Sequence, residues 1–160
     1  MTVMEKGSLI KAMKVSISEV LEKMFFLPLD FDDSNASIIL SKLENGVLFV
    51  AKLDFSGPFT GYCLLFIPKD LASYVTANFL GKEEDHVSED DVTGTVREII
   101  NMITGNSFSA YNSRMVVNLG VPEMVRMDEV MRDLQKSKEA VYVSVNTLKD
   151  SCLTLSLVID

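Results

Sequence analysis

The sequence predicts a mixed α/β fold of the α+β type, in which helices pack on a mainly antiparallel sheet. Helical periodicity appears in two long stretches, 8–27 and 91–111. Alternation of apolar and polar side chains appears in three others, 47–55, 141–145 and 153–159. With 160 residues, 48% of them hydrophobic, the chain has the length of one domain and enough apolar side chains for a packed core.

The first helix is predicted over 8–27, and Pro28 together with residues 30–35 breaks it. A strand is predicted over 36–43. It is followed by a hairpin turn at 44–46, whose Asn-Gly pair is a strong turn signal. The side chains expected on the buried side of the first helix are Ile10, Met13, Ile17, Val20, Leu21 and Met24.

The next two strands are predicted over 47–55 and 59–67, with a turn between them. Pro68 then opens a second helix, because proline is tolerated in the first turn of a helix. That helix is predicted to reach residue 80, and Gly81 ends it.

Residues 82–91 are acidic and predict a surface linker. Ser88 and Asp91 have the spacing of a capping box, in which two side chains satisfy the first backbone N–H groups of a helix. The helix that follows is predicted to run to Tyr111, with residues 105–106 as a stop or a bend.

Beyond that helix, a strand is predicted over 114–120 and a short helix or irregular segment over 127–136. The two closing strands are expected to form an antiparallel pair, joined by a turn near 146–151. The stretches 1–81 and 82–160 therefore each consist of helix-plus-strands units, which predicts a duplicated arrangement within a single domain.

Composition excludes several classes of function. The net charge of −8 and the absence of a basic run argue against a nucleic-acid partner. The longest apolar runs, such as 63–67, are too short to span a membrane, and no signal-peptide pattern begins the chain. Cys63 and Cys152 are interpreted as free thiols of a cytoplasmic protein. The single histidine, His86, excludes a Cys/His zinc cluster and a histidine-dependent triad.

One face of the helix predicted over 91–111 carries an unusual set of residues. Glu98 and Asn101 are three residues apart, so they lie one above the other, and they point away from the apolar stripe. Gly94 and Gly105 fall on the same line. A glycine inside an exposed helix costs about 1 kcal/mol relative to alanine, so two of them suggest a bare strip that another surface can approach closely. The apolar stripe consists of Val92, Val96, Ile99 and Ile103.

Glu-x-x-Asn followed by Met-x-x-Gly-Asn resembles the signature of the CheC/CheX family of chemotaxis phosphatases. The run over 19–27 also resembles the first helix of CheX-type proteins. Gly94 stands where the family often has Asp or Ser. The resemblance covers essentially the whole chain and implies the CheC/CheX fold, which is a duplicated α/β arrangement. The signature residues are Glu98, Asn101, Met102, Gly105 and Asn106.

The resemblance implies that the chain dephosphorylates a phosphorylated CheY-like response regulator. Asn101 would position the attacking water, since an amide both accepts and donates hydrogen bonds. Glu98 would pair with a lysine of the regulator. Asp91, Gly94 and Gly105 would belong to the surface that binds the partner. The resemblance implies no cofactor of the chain's own, because the divalent metal belongs to the regulator.

The first helix is expected to lack a second site of this kind. The counterpart of Glu98 there is Glu22, and the place of Asn101 falls on Phe25, whose ring cannot orient a water by hydrogen bonding. The first helix is therefore expected to be a core or interface element, and Met24, Phe25 and Phe26 are predicted to pack in the core. CheX-type proteins commonly carry one such site and CheC-type proteins two, so this chain resembles the one-site kind.

Two other functions remain open. The same helix would also serve a non-catalytic module that holds a response regulator or a flagellar switch component. If the chain instead serves as a purely structural partner of another protein, Glu98 and Asn101 are only solvent-exposed residues of the helix. The resemblance further implies a homodimer formed through strands, and the apolar closing strand over 153–159 is the candidate edge.

Overall fold

The computed structural model, which describes residues 1–44, 46–136, 139–147 and 150–160, places helices on both faces of one sheet. The helices are α1 (Val3–Ser18), α2 (Ala36–Glu44), α3 (Lys69–Leu80), α4 (Glu89–Tyr111) and α5 (Met127–Leu134). The strands are β1 (Leu29–Asp32), β2 (Leu48–Ser56), β3 (Gly61–Pro68), β4 (Asn118–Leu119), β5 (Glu123–Val125), β6 (Glu139–Thr147) and β7 (Cys152–Ile159).

The strands of this sheet follow the order β1-β6-β7-β3-β2-β4, and β5 also pairs with β2. Every pairing among the described strands is antiparallel, which confirms the predicted fold class. Strand β7 lies in the interior, hydrogen-bonded to β6 on one side and to β3 on the other. The prediction that residues 153–159 form a dimerisation edge is therefore wrong, because both sides of that strand are already paired.

The two faces of the sheet carry separate cores. Helices α1, α3 and α4 cover one face, where alternate residues of β2 such as Leu53 join the larger core. Helices α2 and α5 cover the other, where Val50 of the same strand joins a smaller core with Ile39 and Val130. Because side chains alternate along a strand, one set of strands serves both cores.

Helix α1 begins at a capping box in which the Thr2 side chain accepts from the Glu5 N–H and Glu5 accepts from the Thr2 N–H. It continues into a π-helical turn over Glu19–Met24. Phe25 then points into the core, as predicted. The prediction is wrong for Met24 and Phe26, which are exposed, because the wider turn and the positive φ of 54° at Phe26 redirect the chain.

The strand predicted over 36–43 is helix α2. The Asn35 side chain accepts a hydrogen bond from the Ile38 N–H at 3.0 Å and so caps a helix at this point. Ile39 and Leu43, four residues apart, are the buried side chains. A short apolar run such as Ile-Ile-Leu does not distinguish strand from helix by periodicity alone.

The break predicted over 30–35 overlaps β1, which pairs with β6 at an edge of the sheet. The hairpin turn predicted at 44–46 includes residue 45, which lies outside the described residues, and helix α2 precedes it instead of a strand. The closing turn predicted near 146–151 likewise includes residues 148–149, which are outside the described ranges.

The strand predicted over 114–120 shrinks to β4. Strand β2 ends at Ser56, opposite Asn118, so earlier residues would have to pair with Gly57 and Pro58, where the chain turns. Strand β5 follows separately and pairs with Val50, Ala51 and Lys52.

Several local predictions are confirmed. Helix α3 ends at Gly81, whose φ of 67° is the left-handed conformation expected at a helix C-terminus. Over 127–136, where a short helix or an irregular segment was predicted, helix α5 occupies most of the residues. Cys63 and Cys152 are both free. The division into repeated halves at residue 81 stays a prediction.

Candidate functional site

Helix α4 begins at the predicted capping box. The Ser88 hydroxyl accepts from the Asp91 N–H at 3.0 Å, and the Asp91 carboxylate accepts from the Ser88 N–H at 3.1 Å. The Lys82 ammonium lies 3.1 Å from the same carboxylate. The hydrogen bond from the Ser88 N–H and then the contact with Lys82 lower the pKa of Asp91. The capping box therefore fixes the residue at which α4 begins.

The buried face of α4 locks the helix in place. All four residues of the predicted apolar stripe are buried. The Ser16 hydroxyl of α1 donates to the Ile103 carbonyl at 2.8 Å, and the Ser107 hydroxyl donates to that carbonyl at 2.7 Å. The rings of Phe108 and Phe55 meet with centroids 4.8 Å apart. The opposite face is therefore held at a fixed orientation relative to the sheet.

That opposite face presents the predicted strip, which we define as Gly94, Glu98, Asn101 and Gly105. At about 100° per residue, the four positions fall within about 60° of one another around the helix axis. Glu98 is exposed and Asn101 is partly exposed. Within the ranges that the structure describes, neither side chain is engaged in a hydrogen bond or an ion pair. The carboxylate and the amide are thus available to an external partner.

The two glycines leave the strip bare. A Cβ added at Gly94 would meet no atom within 4 Å, and one added at Gly105 would lie 3.7 Å from the Leu119 Cδ1 atom. The helix passes through Gly105 and continues to Tyr111, so the stop or bend predicted at 105–106 is wrong. Buried side chains on both sides of that glycine keep the helix against the sheet. The chain's own packing therefore does not require glycine at either position.

The first helix offers no equivalent strip. Phe25 is completely buried, and its ring lies 4.9 Å from the ring of Phe79. Glu22 is exposed, and its carboxylate accepts a hydrogen bond from Ser18. No amide stands one turn from Glu22 on that helix.

Two contacts at the site were missed by sequence reasoning. Lys82 reaches Asp91 across the linker, and Leu119 borders Gly105 from strand β4. Neither pair has a periodic spacing, so no local pattern indicates them. Asp91 was predicted to contact the partner, and its role there stays a prediction, since its carboxylate is already held by Ser88 and Lys82.

A cavity of about 820 Å³ lies on the α5 side of the sheet. Tyr62 donates to Asp133 there, and the Lys52 ammonium lies 4.5 Å from the centre of the Tyr62 ring. Burial and the nearby Asp133 carboxylate raise the pKa of Tyr62. Neither Glu98 nor Asn101 lines this cavity. The strip is a convex helix surface, and such a surface suits a macromolecular partner better than a small ligand.

Two further properties of the described residues bear on the site. They contain no group of three or more His, Cys, Asp or Glu side chains arranged to hold a metal ion. None of their helices is long and apolar enough to cross a membrane.

Solved structures with the same fold come from several bacteria. The structure of CheX with CheY, BeF3 and Mg²⁺ from Borrelia burgdorferi superposes with a TM-score of 0.71 at 18% identity, over 94% of this chain and 96% of that one. CheX from Vibrio vulnificus gives 0.72 at 17% identity, over 95% and 96%. FliY from Thermotoga maritima gives 0.65 at 12% identity, over 99% and 91%. The fold is thus of the predicted CheC/CheX type.

Sequence comparison gives the family. No curated protein matches the chain. The family model described as chemotaxis phosphatase CheX matches residues 49–146, which is more than half of the chain and includes Glu98 and Asn101. With that match and the shared architecture, the chain belongs to the CheX family of chemotaxis phosphatases.

Proposed function

We propose that this protein hydrolyses the aspartyl phosphate of a CheY-like response regulator by docking α4 against the phosphorylated site. The observation that carries the proposal is the strip itself, in which a carboxylate and an amide with no partner among the described residues stand on a rigid helix between two bare glycines. The Borrelia burgdorferi relative was solved together with CheY, which supports the choice of partner. The proposed location is the cytoplasm.

In the proposed mechanism this chain contributes little to the covalent chemistry. The regulator supplies the phosphoryl group, the divalent metal and a lysine, so the remaining task is to place a water in line with the phosphorus atom. The Asn101 amide accepts from that water through its oxygen and donates through its nitrogen. Glu98 lies about 4.5 Å along the helix axis from Asn101. From there its carboxylate pairs with the regulator's lysine and sets the register of docking.

The direct test is phosphate release from the host's phosphorylated regulators, measured with and without the protein. Acceleration by wild type is expected for at least one regulator, with Mg²⁺ present for the regulator's own site. Binding without acceleration would favour the alternative, a non-catalytic module that uses the same helix. Neither binding nor acceleration with any regulator would overturn both functions.

Glu98→Gln is expected to lower kcat/KM by about 10- to 100-fold, because it removes one charge of an ion pair that docking desolvates. The matched control is Glu129→Gln, which makes the same charge change on α5, on the opposite face of the sheet. The control should keep wild-type kinetics. Equal kinetics for Glu98→Gln and wild type would mean that Glu98 makes no docking contact.

Gly94→Ala is expected to stabilise the fold by up to about 1 kcal/mol, since the new methyl group meets nothing and alanine favours helix. It should nevertheless lower kcat/KM by about 10-fold or more, because a partner fitted to the glycine of this chain, where the family often has Asp or Ser, would be held away from Asn101 by about 1 Å. Urea unfolding and phosphate release measure the two effects.

Gly7→Ala is the matched control for that substitution. Gly7 is also an exposed helical glycine whose added Cβ would meet nothing within 4 Å, but it lies on α1. It should stabilise the fold similarly and leave the kinetics unchanged. If Gly94→Ala behaves like Gly7→Ala in both assays, the bareness of the strip has no role in docking.

A homodimer is also proposed, and its contact would form at a sheet edge. Among the described strands, those edges are β1 on one side and β4 with β5 on the other. Sedimentation equilibrium of wild type against a variant with a proline in β1, at Phe31, would test the first edge. A dimer that persists in that variant would assign the contact elsewhere.

A further inference from the structure

Helix α4 carries one basic side chain in its 23 residues, Arg97. The other charged residues of the helix are acidic: Glu89, Asp90, Asp91 and Glu98. The whole chain has a net charge of −8. A partner site rich in negative charge would meet unfavourable electrostatics over most of this surface, so the position of the one cation matters.

Arg97 lies beside the strip. At about 100° per residue, it stands about 40° from Asn101 around the helix axis, on the side opposite to Glu98, which stands about 60° away. It is one turn from Asn101, a spacing at which two side chains reach the same point above a helix. The amide is thus flanked by a cation on one side and an anion on the other.

Arg97 is not engaged by the part of the chain that the structure describes. Its side chain is exposed, and the described residues give it no hydrogen bond or ion pair. Asp91 is occupied by Lys82 and Ser88. Asp90 is two turns away along the helix, about 10 Å, which is beyond ion-pair distance. The contacts among the described residues therefore give no reason for a guanidinium at this position.

We propose, building on the function proposed above, that Arg97 contacts the phosphoryl oxygens of the docked regulator and makes binding depend on phosphorylation. A phosphoryl group on a side chain carries close to two negative charges and strong acceptor oxygens. The planar guanidinium binds such oxygens through two parallel N–H donors. With Asn101 holding the water and Glu98 on the regulator's lysine, Arg97 supplies the positive charge that the strip otherwise lacks.

The test compares wild type with Arg97→Gln and Arg97→Lys in phosphate release and in binding. Binding is measured to the regulator treated with beryllium fluoride and Mg²⁺, a stable mimic of the phosphorylated form, and to the untreated regulator. The matched control is Arg132→Gln on α5, an exposed arginine on the opposite face of the sheet. Each assay is run at about 0.02 M and about 0.5 M salt.

Arg97→Gln is expected to raise KM, and Kd for the beryllium fluoride form, by about 5- to 20-fold at low salt. The change should shrink at high salt, kcat should stay within about 2-fold, and binding to the untreated regulator should change little. Arg97→Lys should restore part of the affinity, because the charge remains without the bidentate geometry. Arg132→Gln should match wild type.

The outcomes separate this inference from the function on which it rests. Wild-type kinetics for Arg97→Gln would overturn the role of Arg97 alone. An equal loss of affinity for the treated and untreated regulator would assign Arg97 to a fixed acidic group of the partner and overturn the phosphoryl contact. If wild type binds the beryllium fluoride form but releases no phosphate, the phosphatase fails while the Kd values still decide the role of Arg97. If wild type binds no regulator in either form, both proposals fall.

Discussion

Asn101→Ala is expected to slow phosphate release from the phosphorylated regulator by about 100-fold or more while the fold stays intact. The amide is the proposed group that orients the attacking water, and alanine has neither an acceptor nor a donor to replace it. The substitution removes no packing contact of the core, since Asn101 lies on the solvent side of α4. Steady-state phosphate release and thermal unfolding measure the two effects.

The control for that result is Asn78→Ala, which removes an exposed asparagine from α3. It should keep full activity. Asn101→Ala should also bind the beryllium fluoride form of the regulator within a few-fold of wild type, because docking depends on the rest of the strip. Activity of Asn101→Ala within about 3-fold of wild type would exclude the amide from the chemistry. Glu98 and Asn101 would then be ordinary solvent-exposed residues of the helix.

Gly61→Ala is expected to destabilise the fold by about 2–4 kcal/mol. A Cβ at this position would lie 1.9 Å from the Val158 carbonyl oxygen and 3.1 Å from the Ile159 Cα atom. Gly61 pairs with Phe55 on one side and with Ile159 on the other, so neither neighbouring strand moves without breaking ladder hydrogen bonds. The clash is with backbone, which no side-chain rotation relieves.

Thermal unfolding should show the loss as a fall in Tm of roughly 5–15 °C for a chain of this length. Urea unfolding should show a lower midpoint with little change in slope. Gly7→Ala again provides the comparison, because its added methyl group meets nothing. A Gly61→Ala protein with the Tm of wild type would mean that β3 and β7 separate at this point more easily than their pairing indicates.

Local sequence patterns predicted most of the long elements. Helix α4 follows from the apolar stripe and the Ser88 capping box, and the end of α3 follows from Gly81. Helix α2 was missed because three consecutive apolar residues satisfy both periodicities, and the Asn35 cap that decides between them is one weak signal. The order of the strands depends on tertiary pairing, which periodicity does not contain.

The sequence predicted the candidate site about as completely as it predicted the fold. Helical spacing alone puts Glu98 and Asn101 on one exposed face, and the structure confirms their place there. Helical spacing does not reveal that Lys82 holds Asp91 or that Leu119 borders Gly105, because those contacts join residues from different elements. The roles of the pair in hydrolysis stay predictions.

The interior position of β7 has a consequence for synthesis. Among the described strands, β7 leaves the ribosome after the others, yet it joins the β1–β6 side to the β3–β2 side. Until residues 152–159 emerge, β3 and β6 each present an unpaired edge next to apolar side chains, which is a surface prone to aggregation. We therefore expect nascent chains that still hold β7 inside the ribosome to bind chaperones, whereas release of residues 152–159 from the ribosome allows the sheet to close.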